Sequence, residues 1–399
     1  MPEAAASFRT ASQMSESTVF RTPGETHLGV GAVRMVGPIA RRCGARALLV
    51  TGARSAKASG ALDAVSESLQ EAGVEVVLYD RVGREPTLGM VDEARQLARE
   101  SACDLIIGLG GGSPIDAAKA VAGLFFSPRP TAAHFEGRVS LPDKTLPWIA
   151  IPTTAGAGAE ATPNSVLINE ETKVKKSIRS WAWLAKAAIV DPALTVACPK
   201  SVTAASGMDA FTQAVESYTS RHATPLTEGI SLRAALEIAR GLPRAWEDGG
   251  DIEARTAVAW GATMAGIALA NARLGAVHGL AHPVGTLCGL PHGLACGILL
   301  PAVIEFNLDV AAPKYARLAR ELGAAGETSS TEAAARAFLA YVRELNARLG
   351  VPASLGEAGL TREMIDEIVE QTLPSQSLAA NPKPASREDL RAILLAQLE

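Results

Sequence analysis

Between Ala276 and Gly293 the chain reads AVHGLAHPVGTLCGLPHG, a window that holds three of the six histidines in the protein. His278 and His282 are four residues apart, so on a helix they share one face. His292 follows a turn rich in Gly and Pro, which lets the chain double back and aim a third imidazole at the same spot. Neutral imidazole is a common ligand for divalent transition metals and the usual proton-transfer group near neutral pH. The window therefore reads as a metal or proton-transfer centre, against the plainer alternative of histidines that only pack helices beside a turn. A second half lies upstream in SGMDAFTQAVESYTS, where Asp209 and Gln213 sit four apart and Glu216 falls close to the same face. The neighbours of Asp209 (Gly207, Met208, Ala210, Phe211) are small or apolar, which predicts burial, and a buried carboxylate needs a partner. A carboxylate on one helix with imidazoles on another can hold a divalent ion inside a helical domain.

The other chemistry-bearing segment is GLGGGSPIDAAKA, Gly108 to Ala120. Gly110, Gly111 and Gly112 let backbone amides approach an anion, Ser113 adds a hydroxyl, and a following helix contributes the positive end of its dipole. Pro114 is tolerated in a first helical turn, and Asp116 is placed there too. The form is a phosphate or pyrophosphate cradle, although neither GxGxxG with a following acid nor GxxxxGK[ST] is present. IPTTAGAGAEAT (Ile151 to Thr162) supplies a second small-residue loop, in which Thr153 and Thr154 can donate hydroxyls to phosphate or ribose.

The elements that must position these residues divide the chain. RALLVT (46–51), VEVVLYD (74–80), DLIIGLG (104–110) and WIAIPTT (148–154) read as strands, with helical stretches near 55–72, 90–101 and 114–125 between them. Strand and helix alternating at this spacing predict a parallel sheet covered by helices. After DPALT (191–195) the strand signal stops, and the rest reads as successive amphipathic helices, among them 201–220, 226–241, 252–272 and 292–306. The expected division is an N-terminal arm over 1–27, an α/β domain over 28–192 and an all-α domain over 193–399.

With 399 residues, 48% of them hydrophobic, the chain is globular and long enough for two cores. Its 38 Lys+Arg against 42 Asp+Glu form no block of like charge, which argues against nucleic-acid or anionic-membrane binding. The first twenty residues have no apolar core of a signal peptide, and five scattered cysteines (Cys43, Cys103, Cys198, Cys288, Cys296) make no disulfide framework, so a soluble cytoplasmic protein is expected.

Taken in order, GGGSPIDAAKA, PTTAGAGAE, DPALT, GMDAFTQAVESY, AVHGLAHPVG and LPHGLACGILLPAVIEFN, with NPKPASREDL near the end, resemble the iron-containing (group III) alcohol dehydrogenase family. The resemblance implies a Rossmann-like dinucleotide-binding α/β domain, a helical domain, an active-site cleft between them, and NAD(P)-dependent interconversion of an alcohol and an aldehyde or ketone with Fe²⁺ or Zn²⁺. In the family an Asp and three His hold the metal. Asp209, His278 and His292 match three of those places, and His282 matches a further histidine near the nicotinamide. The fourth place departs from the pattern: Gln213 stands where the family has histidine, and an amide oxygen is a weaker ligand for such a metal.

A second departure lies in VTGARSAK. Gly52 occupies the position where family members that use NAD often carry an acid, and Arg54, Ser55 and Lys57 follow. Without that carboxylate a 2′-phosphate is not repelled, and two cations stand near to pair with it, so NADP is favoured over NAD. A related metal-independent enzyme, maleylacetate reductase, a dehydroquinate-synthase type of lyase on the same domain plan, and a non-catalytic binding protein that has kept the fold are the alternatives. The expected partners are a small alcohol or aldehyde and a second copy of the chain, homodimers being the commonest assembly.

Overall fold

The computed structural model describes residues 17–83 and 85–398, so residues 1–16 of the expected N-terminal arm lie outside the described residues. Two compact units emerge, one from residues 22–198, the other from 199–398 with 17–21. Arg21 joins the second unit through its backbone: its N–H donates to Asn271 Oδ1 at 2.8 Å and its carbonyl accepts from Asn271 Nδ2 at 2.8 Å.

The first unit contains strands β1 (Glu25–Leu28), β2 (Arg46–Gly52), β3 (Glu75–Val82), β4 (Leu105–Gly110), β5 (Trp148–Pro152), β6 (Asn164–Ile168), β7 (Lys175–Arg179) and β8 (Ala187–Val190). Six of them form a sheet in the order β1-β8-β5-β4-β2-β3, parallel at every pairing, while β6 and β7 form a separate antiparallel pair. The helices are α1 (Val36–Cys43), α2 (Ser55–Ala58), α3 (Ala61–Glu71), α4 (Leu88–Glu100), α5 (Gly112–Leu124) and α6 (Thr131–Phe135). Alternate strand residues serve opposite faces. Leu48, Val50, Ile106 and Trp148 pack with Val91 of α4 and Val121 of α5, whereas Leu49, Leu105, Ile107 and Ile149 pack with Ile39 of α1 and Leu69 of α3. Covered on both faces, β2, β4 and β5 read as continuous apolar runs rather than alternating ones.

The arm expected over 1–27 is corrected at its end. Glu25 to His27 are not loose but belong to β1, which pairs with β8 in the register Glu25↔Ala187 to Leu28↔Val190. Both strands are four residues long, too short for a periodicity to register, and only the sheet makes them strands.

The second unit is helical: α7 (Lys200–Thr219), α8 (Pro225–Glu247), α9 (Ile252–Ala272), α10 (Ala276–Leu287), α11 (His292–Phe306), α12 (Leu308–Glu321), α13 (Thr331–Arg348), α14 (Ile365–Thr372) and α15 (Arg387–Leu395). Two of them are not amphipathic as expected. From Gly207 to Thr219 every residue of α7 is buried, and α11 is buried on nearly every side, because other helices surround them. Among the described residues no single helix is long and apolar enough to cross a membrane.

Candidate functional site

Helices α7, α10 and α11 bring one cluster together. Residues 288–291 connect α10 to α11, with Gly289 in the left-handed region at φ 67°, so the chain reverses and the imidazoles of His278 and His292 come to 5.5 Å between ring centroids. Gly293 lets α11 lie against α7, since a Cβ there would stand 2.0 Å from the carbonyl oxygen of Ala205 and 2.9 Å from Asp209 Cβ. In that notch Asp209 Oδ1 is 3.2 Å from His278 Nε2 and 3.9 Å from His292 Nε2. His282, one turn beyond His278, is exposed and stacks on His292 with centroids 4.6 Å apart.

Glu216 organises the cluster from below. Its carboxylate accepts from Val277 N–H at 2.7 Å and from His278 Nδ1 at 2.6 Å, so it caps α10 and fixes the ring of His278 in one stroke. With Nδ1 donating to Glu216, Nε2 is the ring nitrogen turned toward Asp209, and the Glu216 contact is the carboxylate–histidine arrangement that orients metal-ligating imidazoles. Asn381, from the NPKPASREDL segment, completes the cap by accepting from Ala276 N–H at 3.1 Å.

In the α/β unit the glycine turn behaves as backbone. Gly110 closes β4 at φ 145°, where a Cβ would stand 2.8 Å from Pro114 Cγ, so an L side chain meets both strain and a clash. Gly111 caps α5 in an extended conformation, and a Cβ on it would stand 3.4 Å from Thr154 Oγ1. The β4–β5 pairing carries the second loop alongside: Thr153 N–H donates to the Gly110 carbonyl at 2.8 Å. Gly52 ends β2, next to β4, so these residues share the carboxyl edge of the sheet, where ligands of parallel α/β sheets bind. Arg54 and Lys57 are exposed just beyond, and neither forms an ion pair among the described residues. Asp116 is not in the first turn as expected: α5 begins at Gly112, and the Asp116 carboxylate is 3.2 Å from Lys119 Nζ and accepts from Val166 N–H at 2.9 Å. It ties α5 to the β6–β7 pair.

The two halves of the chain match two family models, "Iron-containing alcohol dehydrogenase" over residues 23–192 and "Fe-containing alcohol dehydrogenase family, C-terminal" over 203–398. The chain belongs to the iron-containing alcohol dehydrogenase family. Among its relatives are the NAD-dependent methanol dehydrogenase of Bacillus methanolicus, 33% identical over 94% of this chain and 99% of that one. The NADPH-dependent butanol dehydrogenase of Clostridium saccharobutylicum is 32% identical over 94% and 96%. A crystal structure of 1,3-propanediol oxidoreductase superposes with a TM-score of 0.90 at 34% identity, covering 96% of this chain and 100% of the other. The protein is an oxidoreductase of CH–OH groups that uses NAD(P), and dependence on a divalent metal is typical of its family.

The residues of this alcohol dehydrogenase fit a divalent ion. Asp209, His278, His292 and Cys296 each offer a donor atom, all within 4.8 Å of one another. Gln213 lies one turn beyond Asp209 on α7, and its buried Oε1 has no hydrogen-bond partner among the described residues, which makes it an oxygen a cation could satisfy. The glycine turn likewise fits a pyrophosphate, since the first amides of α5 have no intrahelical acceptor.

Electrostatics bind the dehydrogenase cluster tightly. Burial would raise the Asp209 carboxyl, but the hydrogen bond from His278 and the nearby imidazoles hold it below the usual carboxylate range. Burial opposes charge on His278 and His292, yet Cys296 and Asp209, with Glu216 at His278, hold both above the usual imidazole range. Burial also opposes the Cys296 thiolate, and the two imidazoles overcome it and lower the thiol. An incoming ion competes with protons for these imidazole nitrogens.

Sequence reasoning missed Cys296 as a member of this site. The signal was present: Cys296 follows His292 by four residues, the spacing that singled out His278 and His282. Cys288, which lies inside the histidine window, is half-buried at the end of α10 and outside the group of donors.

Proposed function

We propose that this dehydrogenase interconverts a small alcohol and its aldehyde, with Asp209, His278 and His292 holding a divalent metal and Gln213 beside them, and with a dinucleotide held by Gly110, Gly111, Gly112, Ser113, Thr153 and Thr154. The observation that carries the reading is the convergence of Asp209, His278 and His292 from three helices, with Glu216 fixing the tautomer of His278. When bound, the metal supplies Lewis acidity toward the substrate oxygen. Glu216 would hold the His278 proton on Nδ1 and leave Nε2 available to a metal. Asp209 would add negative charge, with Gln213 one turn along the same helix. His282, exposed and stacked on His292, would orient the nicotinamide or move a proton between solvent and substrate.

NADP is the proposed coenzyme. Gly52 offers no carboxylate to repel a 2′-phosphate, and Arg54 and Lys57 stand exposed at the same strand end. A cytoplasmic location and a homodimer belong to the same proposal: the cysteines form no disulfide among the described residues, which suits a reducing compartment, and twofold assembly is the commonest.

The test is NADPH and NADH oxidation with a panel of short aldehydes, on enzyme stripped by chelator and resupplied with Fe²⁺, Zn²⁺ or nothing, for the native chain and Arg54→Ala. Rescue by metal, with a preference for NADPH that Arg54→Ala weakens several-fold, supports the proposal. Full activity without metal would replace it with a metal-independent carbonyl reductase in which Gln213 marks the lost ligand.

A further inference from the structure

In the family pattern the helix carrying the aspartate also supplies a histidine four residues on, and here that place holds Gln213. The site has therefore lost an imidazole from α7. Across the cluster, α11 carries a donor that could make good the loss. Cys296 lies one turn after His292, so both side chains leave α11 on the same side. Its Sγ is 3.7 Å from His292 Nε2 and 3.8 Å from His278 Nε2, and the residue is fully buried.

These spacings are those of a coordination shell. With metal–nitrogen and metal–oxygen distances of about 2.0–2.1 Å and metal–sulfur of about 2.3 Å, neighbouring ligand atoms of a tetrahedral ion lie roughly 3.3–3.6 Å apart. Four edges of the cluster run 3.2, 3.9, 3.8 and 3.7 Å, for Asp209–His278, Asp209–His292, Cys296–His278 and Cys296–His292. The remaining two pairs lie within 4.8 Å, so side-chain adjustment of up to about an ångström would close the shell.

We propose that Cys296 is a metal ligand, which makes the protein donors Asp209, His278, His292 and Cys296, and that its thiolate shifts the preference of the centre from Fe²⁺ toward Zn²⁺. The proposal rests on reading the cluster as a metal centre. Thiolate is the softest donor a protein offers, and it favours Zn²⁺ over the harder Fe²⁺. Expansion to five-coordination, known for catalytic zinc, leaves room for substrate oxygen beside four protein ligands.

The experiment loads chelator-stripped enzyme with Co²⁺ as a spectroscopic probe and, separately, measures Zn²⁺ and Fe²⁺ affinities by chelator competition. The native chain is expected to bind one Co²⁺ with an intense sulfur-to-cobalt absorption in the near ultraviolet. Cys296→Ser should lose that absorption while keeping the weaker visible bands, and its Zn²⁺ affinity should fall at least about tenfold, the size of effect that even outer-shell partners have. Its Fe²⁺ affinity should fall by less, and Cys288→Ala should keep the absorption. Stoichiometric Co²⁺ on the native chain without the absorption overturns the proposal and leaves the metal centre standing, whether or not any variant folds. An equal fall in both affinities overturns the zinc preference. No stoichiometric metal on the native chain overturns the ligand proposal and the metal reading together.

Discussion

The cluster on α7, α10 and α11 and the glycine turn between β4 and α5 are built by opposite means. The first is made of side chains drawn from positions 209, 278, 292 and 296, and its chemistry changes whenever a residue type changes. The second is made of backbone from one short stretch, Gly110 to Ser113, and depends on the absence of side chains. A site built from side chains can exchange one donor for another, as Gln213 and Cys296 suggest. A site built from amides cannot, because each atom of it is common to all residues and only conformation sets it apart.

If that contrast holds, the two regions should break separately. The largest effect is expected from His278→Ala, which removes the central imidazole. Metal content should fall to background and kcat by at least about 10²-fold, more than the 10- to 100-fold typical of outer-shell changes, with dinucleotide binding by fluorescence titration unchanged. An active, metal-free His278→Ala enzyme would sink the metal reading. Glu216→Gln comes next. It leaves all donors in place but replaces a proton acceptor of His278 Nδ1 with a group that also donates, so metal affinity should fall about 10- to 100-fold.

The pH dependence follows from the same cluster. His278 and His292 are held above the usual imidazole range and must be neutral to bind metal, so lowering the pH favours the proton over the ion. Apparent metal affinity should weaken on acidification, by up to about tenfold per pH unit for each imidazole that must lose a proton. A flat affinity profile between neutrality and mild acid would contradict this. The smallest effect belongs to the backbone site. Gly110→Ala places a methyl against Pro114 at an unfavourable φ, at a cost of about 1–3 kcal/mol. It should lower Tm by a few degrees and raise KM for the dinucleotide, with bound metal unchanged.

Much of this was legible in the chain. The buried strands β2, β4 and β5 announced themselves as apolar runs because both of their faces are covered, and the GLGGGSP turn is local, so spacing alone exposed it. The histidine window was legible for the same reason, since α10, its turn and α11 are contiguous. Three things were not. The strands β1 and β8 are too short to carry a signal of their own and exist through sheet pairing, β1 with β8 and β8 also with β5. Asp116 looked like a residue at the phosphate turn, but its carboxylate is committed to Lys119 and Val166. Cys296 looked like one of five scattered cysteines until the notch at Gly293 brought α11 onto α7.

By itself the sequence determined what was local or periodic: an α/β half, a helical half, a glycine turn ending a strand, and histidines on one helix face. Spacing encodes these because hydrogen bonds within a few residues produce them. Which carboxylate faces which imidazole, that Glu216 both caps α10 and holds His278, and that a cysteine stands where an ion would be bound were decided only by tertiary structure. Those contacts join residues tens of positions apart, and their distances are fixed by how closely helices pack, a quantity no single helix carries in its own sequence.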